Sequence, residues 1–438
     1  MNKSGFTLIE LLAVIAILAI ILVISIPKIL DVIETSKINT LKNTVKLIAD
    51  SAEKKYTENE AFLEEEEITC DSVSKLNKED YNKCTIIFDE IGIAKVSIVG
   101  RGKFKGLKVI EATKTSAEVI KLEAPKYEIT AVEYINGLYE YYGDSYNLKI
   151  DNTKDQNVRY YGSNPNNYVS FNNELWRIIG VFGNNVKLIR SEKLGTLSWD
   201  SSESSVNGGD GINQWGESTY EDGTSYPGSD LMQYLNKMYY GGDTTITCYG
   251  SANNTTTCPK DSKGNFLTID ETSKKLIDNH TWNTGAIKIS ESTDTLLFYN
   301  AERGMVSGKS SCSDGDNCND TVERTTTWTG YIALPYVTDY AYASNESICE
   351  INMLAQDSSN TYICRSNNWI YSKYNVWYLA PYAAFGFANS SFFIHANGKL
   401  LNRIVSADYN VFPSIYLKSN VIIESGNGSE SNPYMLKL

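Results

Sequence analysis

The chain has 438 residues, a formal net charge of -13 and a hydrophobic share of 42%. That length suits about two or three domains with a sizeable core. The negative balance argues against a non-specific nucleic-acid binder, so no nucleic-acid partner is expected. The distribution is uneven: all seven tryptophans lie at or after Trp176, and most of the acidic excess falls behind residue 128.

At the front, Phe6 to Ile26 carries no charge except Glu10. The run has the roughly 20 residues that a helix needs to span a bilayer. No small-residue cleavage site follows it, because Pro27-Lys28 leads straight into more helix-like sequence, so the run is expected to stay on the mature chain. Past Pro27, Leu41, Val45, Ile48 and Ala52 recur at helical spacing and draw one apolar stripe. Asp31, Glu34, Lys37, Lys42, Lys46 and Asp50 take the other faces. One helix from Phe6 to about Tyr56 would be on the order of 75 Å long, its first half in lipid and its second amphipathic. Pro27 would kink it near the membrane edge. A lone carboxylate in a bilayer costs a few kcal/mol or more. A cut between Gly5 and Phe6 would supply a partner, since the new amine at Phe6 could pair with Glu10 of a neighbouring subunit.

The stretch "KSGFTLIELLAVIAILAIILVISIP" resembles the N-terminal segment of type IV pilins and pseudopilins. In that resemblance Lys3 and Gly5 match the short leader and Phe6 the residue that becomes the N-methylated terminus. Glu10 matches the glutamate used in processing and assembly, and Pro27 the helix-kinking proline. The resemblance implies cleavage by a prepilin peptidase. It then implies extraction from the cytoplasmic membrane into a helical filament with other pilin subunits.

Next, Glu58 to Glu67 is acidic and reads as a solvated loop. The segment from Cys84 to Leu122 is rich in apolar and β-branched residues, with Gly92, Gly100, Gly102 and Gly106 at expected turns. A three- or four-stranded antiparallel meander packed on the end of the helix follows. Pilin heads are similar in arrangement.

Between Leu122 and Lys154 a short helix over Ala131–Tyr141 is expected, either as linker or as the first element of the next domain. "NYVSFNNELWRIIGVFGNNVKLIR" reads as strands joined by Asn-Asn and Gly-Asn-Asn turns. Ser229 could cap a short helix with Leu231, Tyr234, Leu235 and Met238 on one face. A second short helix is expected over Asp270–Asp278. Residues 130–438 resemble a poorly characterised domain of surface proteins from Gram-positive gut bacteria. That likeness rests on strings such as "NPNNYVSFNNELWRIIGVF", "WTGYIALPYVTDYAYAS" and "VFPSIYLKSNVIIESGNGSESNPYML". The ending is more loosely similar to C-type-lectin-like or formylglycine-enzyme-like folds, although Phe412-Pro413 stands where those often have Arg-Pro.

The fold class expected is α+β. A long N-terminal helix, transmembrane and then amphipathic, packs on a small antiparallel sheet; a large β-rich α+β domain with long loops follows, with a C-type-lectin-like shape as one option. The divisions are a leader at 1–5, the helix at 6–56 with its membrane part at 6–27, a head at 57–125, a linker or helix at 126–154 and a surface domain at 155–438.

Eight cysteines form four close pairs: Cys70 with Cys84, Cys248 with Cys258, Cys312 with Cys318, and Cys349 with Cys364. None has C-x-x-C spacing, so the expectation is four small disulfides formed outside the cytoplasm rather than zinc ligands. The chain has only two histidines. His280 lies in a polar aromatic segment, and His395 in a strand-like one, where it reads as a core or edge residue. No G-x-S-x-G elbow and no H-E-x-x-H occur, so no enzyme is expected. Asp314, Asp316 and Asp320 form the one oxygen-rich loop that could suit calcium. Cys318 stands where an oxygen ligand would be needed, so a solvated turn is the preferred reading. No other cofactor is expected.

These features together point to a pilin-like subunit that is processed, assembled and displays a large domain for adhesion, to a glycan or another cell-surface ligand. The runner-up is a pseudopilin of a type II secretion or DNA-uptake machine. A third reading is an extracellular enzyme anchored by a pilin-type helix, for which His280 and Asp339 are the residues to test.

Overall fold

A computed structural model describes residues 8–62, 68–73, 77–201, 213–219, 225–251, 254–286, 295–303, 325–345, 349, 358–382 and 389–438. The fold is α+β, with a long N-terminal helix and both antiparallel and mixed sheets. It divides into two compact units: Met1–Ala124 with Glu140–Gly143, and Pro125–Tyr139 with Asp144–Leu438.

In the first unit, helix α1 runs over Leu8–Phe62, 55 residues in one helical stretch. At 1.5 Å per residue that is roughly 80 Å. The backbone stays helical through Pro27. The helix also outlasts its expected end at Tyr56, so residues 57–62 are helical rather than part of an acidic loop. No glycine or proline stands between Tyr56 and Phe62 to stop it, and Thr57 Oγ1 donates to the Glu53 carbonyl at 2.9 Å. Among the described residues no helix is long and apolar enough to cross a membrane. Side chains 18–25 lie outside those residues, so the membrane reading of 6–26 rests on the sequence.

The apolar stripe of α1 does what its spacing predicts. Leu41, Val45, Ile48, Ala49 and Ala52 are buried in one core with Ala94, Val96, Ile98, Leu107 and Val109. Those partners come from β2 (Ala94–Gly100) and β3 (Leu107–Ala112), which lie between β1 (Tyr81–Phe88) and β4 (Val119–Lys121) in a four-stranded antiparallel meander. Gly100 ends β2 where a Cβ would lie 2.2 Å from the Phe104 carbonyl oxygen, so no larger residue fits. Glu53 ties helix to sheet, accepting from the Ala94 amide at 3.3 Å and pairing with Lys114 at 2.6 Å. The Cys70–Cys84 disulfide fastens the connection to β1.

The second unit holds a ten-stranded mixed sheet. In chain order its strands are β5 (Ile129–Thr130), β6 (Leu148–Ile150), β7 (Val158–Tyr160), β8 (Tyr168–Phe171), β9 (Glu174–Phe182), β10 (Asn185–Arg190), and the strands Ile332–Ala333, Ser414–Tyr416, Ile422–Ser425 and Tyr434–Lys437. Helix α2, Ala131–Tyr142, follows β5. The β8–β9 hairpin turns on Asn172 and Asn173, with φ of 57° and 55°. Two positive φ values are what the favoured hairpin turn needs, and asparagine tolerates them. A five-stranded sheet is built from Gly195–Ser198, Val376–Pro381, Ser390–Ile394, Leu400–Ile404 and Asp408–Val411. Ser229 caps the helix Asp230–Gln233, its Oγ accepting from the Met232 amide, and the chain continues as a π-helix over Tyr234–Tyr240. The second expected helix is shorter than read, Glu271–Lys274, capped by Asp270. His395 is not a strand residue: the strand ends at Ile394, and His395 accepts the Asn397 amide in the following turn.

Disulfides Cys248–Cys258 and Cys349–Cys364 are formed. The pair Cys312 and Cys318, with Asp314, Asp316 and Asp320, lies outside the described residues.

Candidate functional site

Three features invite a functional reading, one in the first unit and two in the second. The first is the front of α1. Lys3, Gly5 and Phe6 lie outside the described residues, Glu10 stands in the first described turn of α1, and Pro27 lies about a third of the way along it. Several large apolar side chains here are bare: Leu12 and Ile17 are each 58% exposed and Val32 is 69% exposed, with Ile29, Leu30 and Ile33 similarly open. Farther along, the stripe from Leu41 to Ala52 is sealed against the sheet. The same helix is thus self-satisfied at one end and unsatisfied at the other. Bare apolar surface on that scale calls for lipid or another protein.

In the second unit, a row of residues crosses the large sheet: Arg159 on β7 pairs with Gly180 on β9, which pairs with Lys187 on β10, which pairs with Tyr416. Cross-strand partners share a face, and Gly180 has no side chain to separate its neighbours. Arg159 and Lys187 therefore converge on Asp339, which sits in the first turn of the helix Val337–Tyr342. Arg159 Nη1 lies 2.9 Å from Asp339 Oδ1, and Lys187 Nζ lies 2.5 Å from Oδ2. The Tyr336 amide donates to the same Oδ2 at 2.8 Å, and Arg159 Nε reaches Asp151 at 2.6 Å. Asp151, Arg159, Lys187 and Asp339 are all buried.

The attraction of Lys187 and Arg159 overcomes burial and holds the Asp339 carboxyl below its usual range. Burial pulls the Lys187 ammonium down against the attraction of Asp339. The ring of Tyr336 covers it at 3.9 Å. Nearby, burial pushes the Glu302 carboxyl up, while Thr338 Oγ1 donates to it at 2.7 Å. The arrangement is a sealed ion cluster that locks a helix to a sheet. Sequence reasoning singled out Asp339 but missed Arg159 and Lys187. The available signal was a lysine inside the apolar strand "VKLI".

His280 does not join this cluster through Asp339. Its Nδ1 faces Asp278 Oδ2 at 3.1 Å, and its ring stacks on Tyr416 at 3.7 Å. Burial lowers its pKa, with Asp278 pulling the other way.

The second unit also holds a cavity of about 380 Å³. Tyr168, Arg177, Arg190, Trp369, Tyr371 and Ser372 are among its walls, with Glu192 and Glu430 at exposed positions on its lining. Tyr168 and Arg177 are direct cross-strand partners of β8 and β9. That pairing places the guanidinium carbon 4.3 Å from the Tyr168 ring centre, and Trp369 covers it at 4.5 Å. Among the described residues no group of three or more His, Cys, Asp or Glu side chains converges as a metal site.

Residues 1–26 match the family model described as the prokaryotic N-terminal methylation motif. The chain therefore carries a type IV pilin-like prepilin signal. That signal is of the class processed at the N-terminus by a prepilin peptidase before assembly with other pilin subunits. No curated protein and no solved structure matches the chain. The likeness of residues 130–438 to a surface-protein domain, the C-type-lectin-like ending and the Gram-positive source thus rest on sequence strings alone.

Proposed function

We propose that the chain is a type IV pilin-like subunit, cut between Gly5 and Phe6 and held in the cytoplasmic membrane by residues 6–26. It then packs through the front of α1 into a surface filament. The observation that carries this reading is the methylation motif at residues 1–26, on a helix that leaves its front apolar side chains bare and buries its rear stripe. Glu10 sets the register, its carboxylate neutralised by the Phe6 amine of a neighbour. The large unit is displayed outside and binds a ligand of another cell or of the envelope. Its size, which every copy along a shaft would have to accommodate, favours a minor or tip subunit.

The direct test is Glu10→Ala. The variant should insert in the membrane at normal levels and be depleted from sheared filaments. Wild-type abundance in filaments would sink the pairing argument. The same motif suits a pseudopilin. A deletion strain that keeps its filaments but loses protein export or DNA uptake would select that reading instead.

A further inference from the structure

We propose that the cavity beside Arg177 binds a sugar carrying a carboxylate, and that Arg177 takes the carboxylate. The proposal deepens the display role given above and rests on it only for biological setting.

The argument begins with charge. Arg177 is 8% exposed. Its hydrogen-bond partners are neutral oxygens: Asn167 Oδ1 at 2.8 Å, the Pro165 carbonyl at 3.2 Å, and the Trp369 carbonyl and Asn164 Oδ1 at 3.5 Å. Other arginines of this unit, the buried Arg159 and the half-buried Arg190 and Arg303, have acids beside them: Arg159 pairs with Asp151 and Asp339, Arg190 with Glu174, and Arg303 with Glu302. Among the described residues no carboxylate lies within ion-pair distance of Arg177. A buried charge without an ion-pair partner is costly, and burial brings this guanidinium down to about 10 against the attraction of Tyr168 and Glu430. The cavity opens beside it, and the other lining arginine, Arg190, is already neutralised by Glu174 at 2.7 Å.

The remaining walls set the class of ligand. A cavity of about 380 Å³ lies at the small end of ligand-pocket sizes. Trp369, Tyr371, Ile370 and Phe412 give apolar and aromatic surface for the C–H face of a sugar ring. Ser372 Oγ is buried without a hydrogen-bond partner, and Glu192 can accept hydroxyl hydrogens. Besides Glu174, which Arg190 holds, the lining carries Glu192 and Glu430, and these disfavour a doubly charged phosphate, while a neutral sugar leaves Arg177 without an ion-pair partner. A singly charged uronate satisfies both.

The test uses the full chain in detergent micelles, titrated calorimetrically with sodium glucuronate, glucose and glucuronate methyl ester. A charge-assisted hydrogen bond is worth about 1.5–3 kcal/mol, so glucuronate should bind on the order of 10- to 100-fold more tightly than either neutral sugar. Arg177→Gln should abolish that preference. Glu430→Gln changes an exposed residue and tests the same charge logic if Arg177→Gln fails to fold. It should bind glucuronate as well as wild type or a few-fold more tightly, because a like charge is removed.

Equal binding of the three sugars, no binding by the folded chain, or weaker glucuronate binding in Glu430→Gln would each overturn the proposal. So would binding of alanine, as an amino-acid probe, with none of glucuronate. The titration needs no filament, so a blank here alongside normal processing and assembly defeats the site and leaves the pilin-like reading standing.

Discussion

Replacing Asp339 by asparagine is the sharpest probe of how the large unit is held together. The change keeps the volume and removes one charge from a cluster in which Arg159 and Lys187 are at most 1% exposed. Arg159 retains Asp151 at 2.6 Å. Lys187 loses its only ion-pair partner among the described residues, the carboxylate at 2.5 Å, and is left under the Tyr336 ring. Breaking a buried ion pair by removing one partner costs about 3–5 kcal/mol, a large share of the roughly 5–15 kcal/mol that holds a domain folded. For a unit of this size the melting temperature should fall on the order of 10 °C. Near-ultraviolet circular dichroism of the full chain reads that melt directly. The double variant Lys187→Met with Asp339→Leu should cost less than the two single changes combined, because no charge is stranded. A melting temperature for Asp339→Asn within a degree or two of wild type would refute the reasoning.

Other perturbations follow from the same contacts. Ile48→Ala empties a fully enclosed position in the α1–sheet core and should destabilise the small unit by about 2–5 kcal/mol, read by hydrogen exchange of β2 amides. For His280, burial sets the folded pKa below 6.5, so its contribution to stability is present above that pH and lost as pH falls through the folded value. His280→Phe keeps a ring on Tyr416 and should reduce the drop in melting temperature between pH 7.5 and 5.5; an unchanged drop would remove His280 from the account. Serine at both Cys70 and Cys84 should lower small-unit stability by about 2–4 kcal/mol, to be checked by urea unfolding with and without reductant.

Much of the small unit was legible in the sequence because both of its elements are strongly periodic. The spacing of Leu41, Val45, Ile48 and Ala52 named the buried face of α1, and β-branched runs between glycines named the meander. The end of α1 was missed because an acidic composition was read as solvated loop, although nothing in residues 57–62 breaks a helix. In the large unit, local signals worked where chemistry is local. Asn172-Asn173 gave a hairpin, and Ser229 gave a helix start. The ion cluster was not legible, because Arg159, Lys187 and Asp339 meet only through strand register and a glycine at 180. The Arg177 cavity needed the distant segment 369–372 to close it, and no spacing along the chain announces that.

The central claim is that residues 1–26 are a processed prepilin signal, and intact-mass and N-terminal peptide analysis of the chain recovered from its native cell surface tests it most directly. The account predicts a mature chain that begins at Phe6 with one added methyl group on its amine, residues 1–5 being absent. A surface chain that still begins at Met1, or one cut after the apolar run near Pro27, would contradict it.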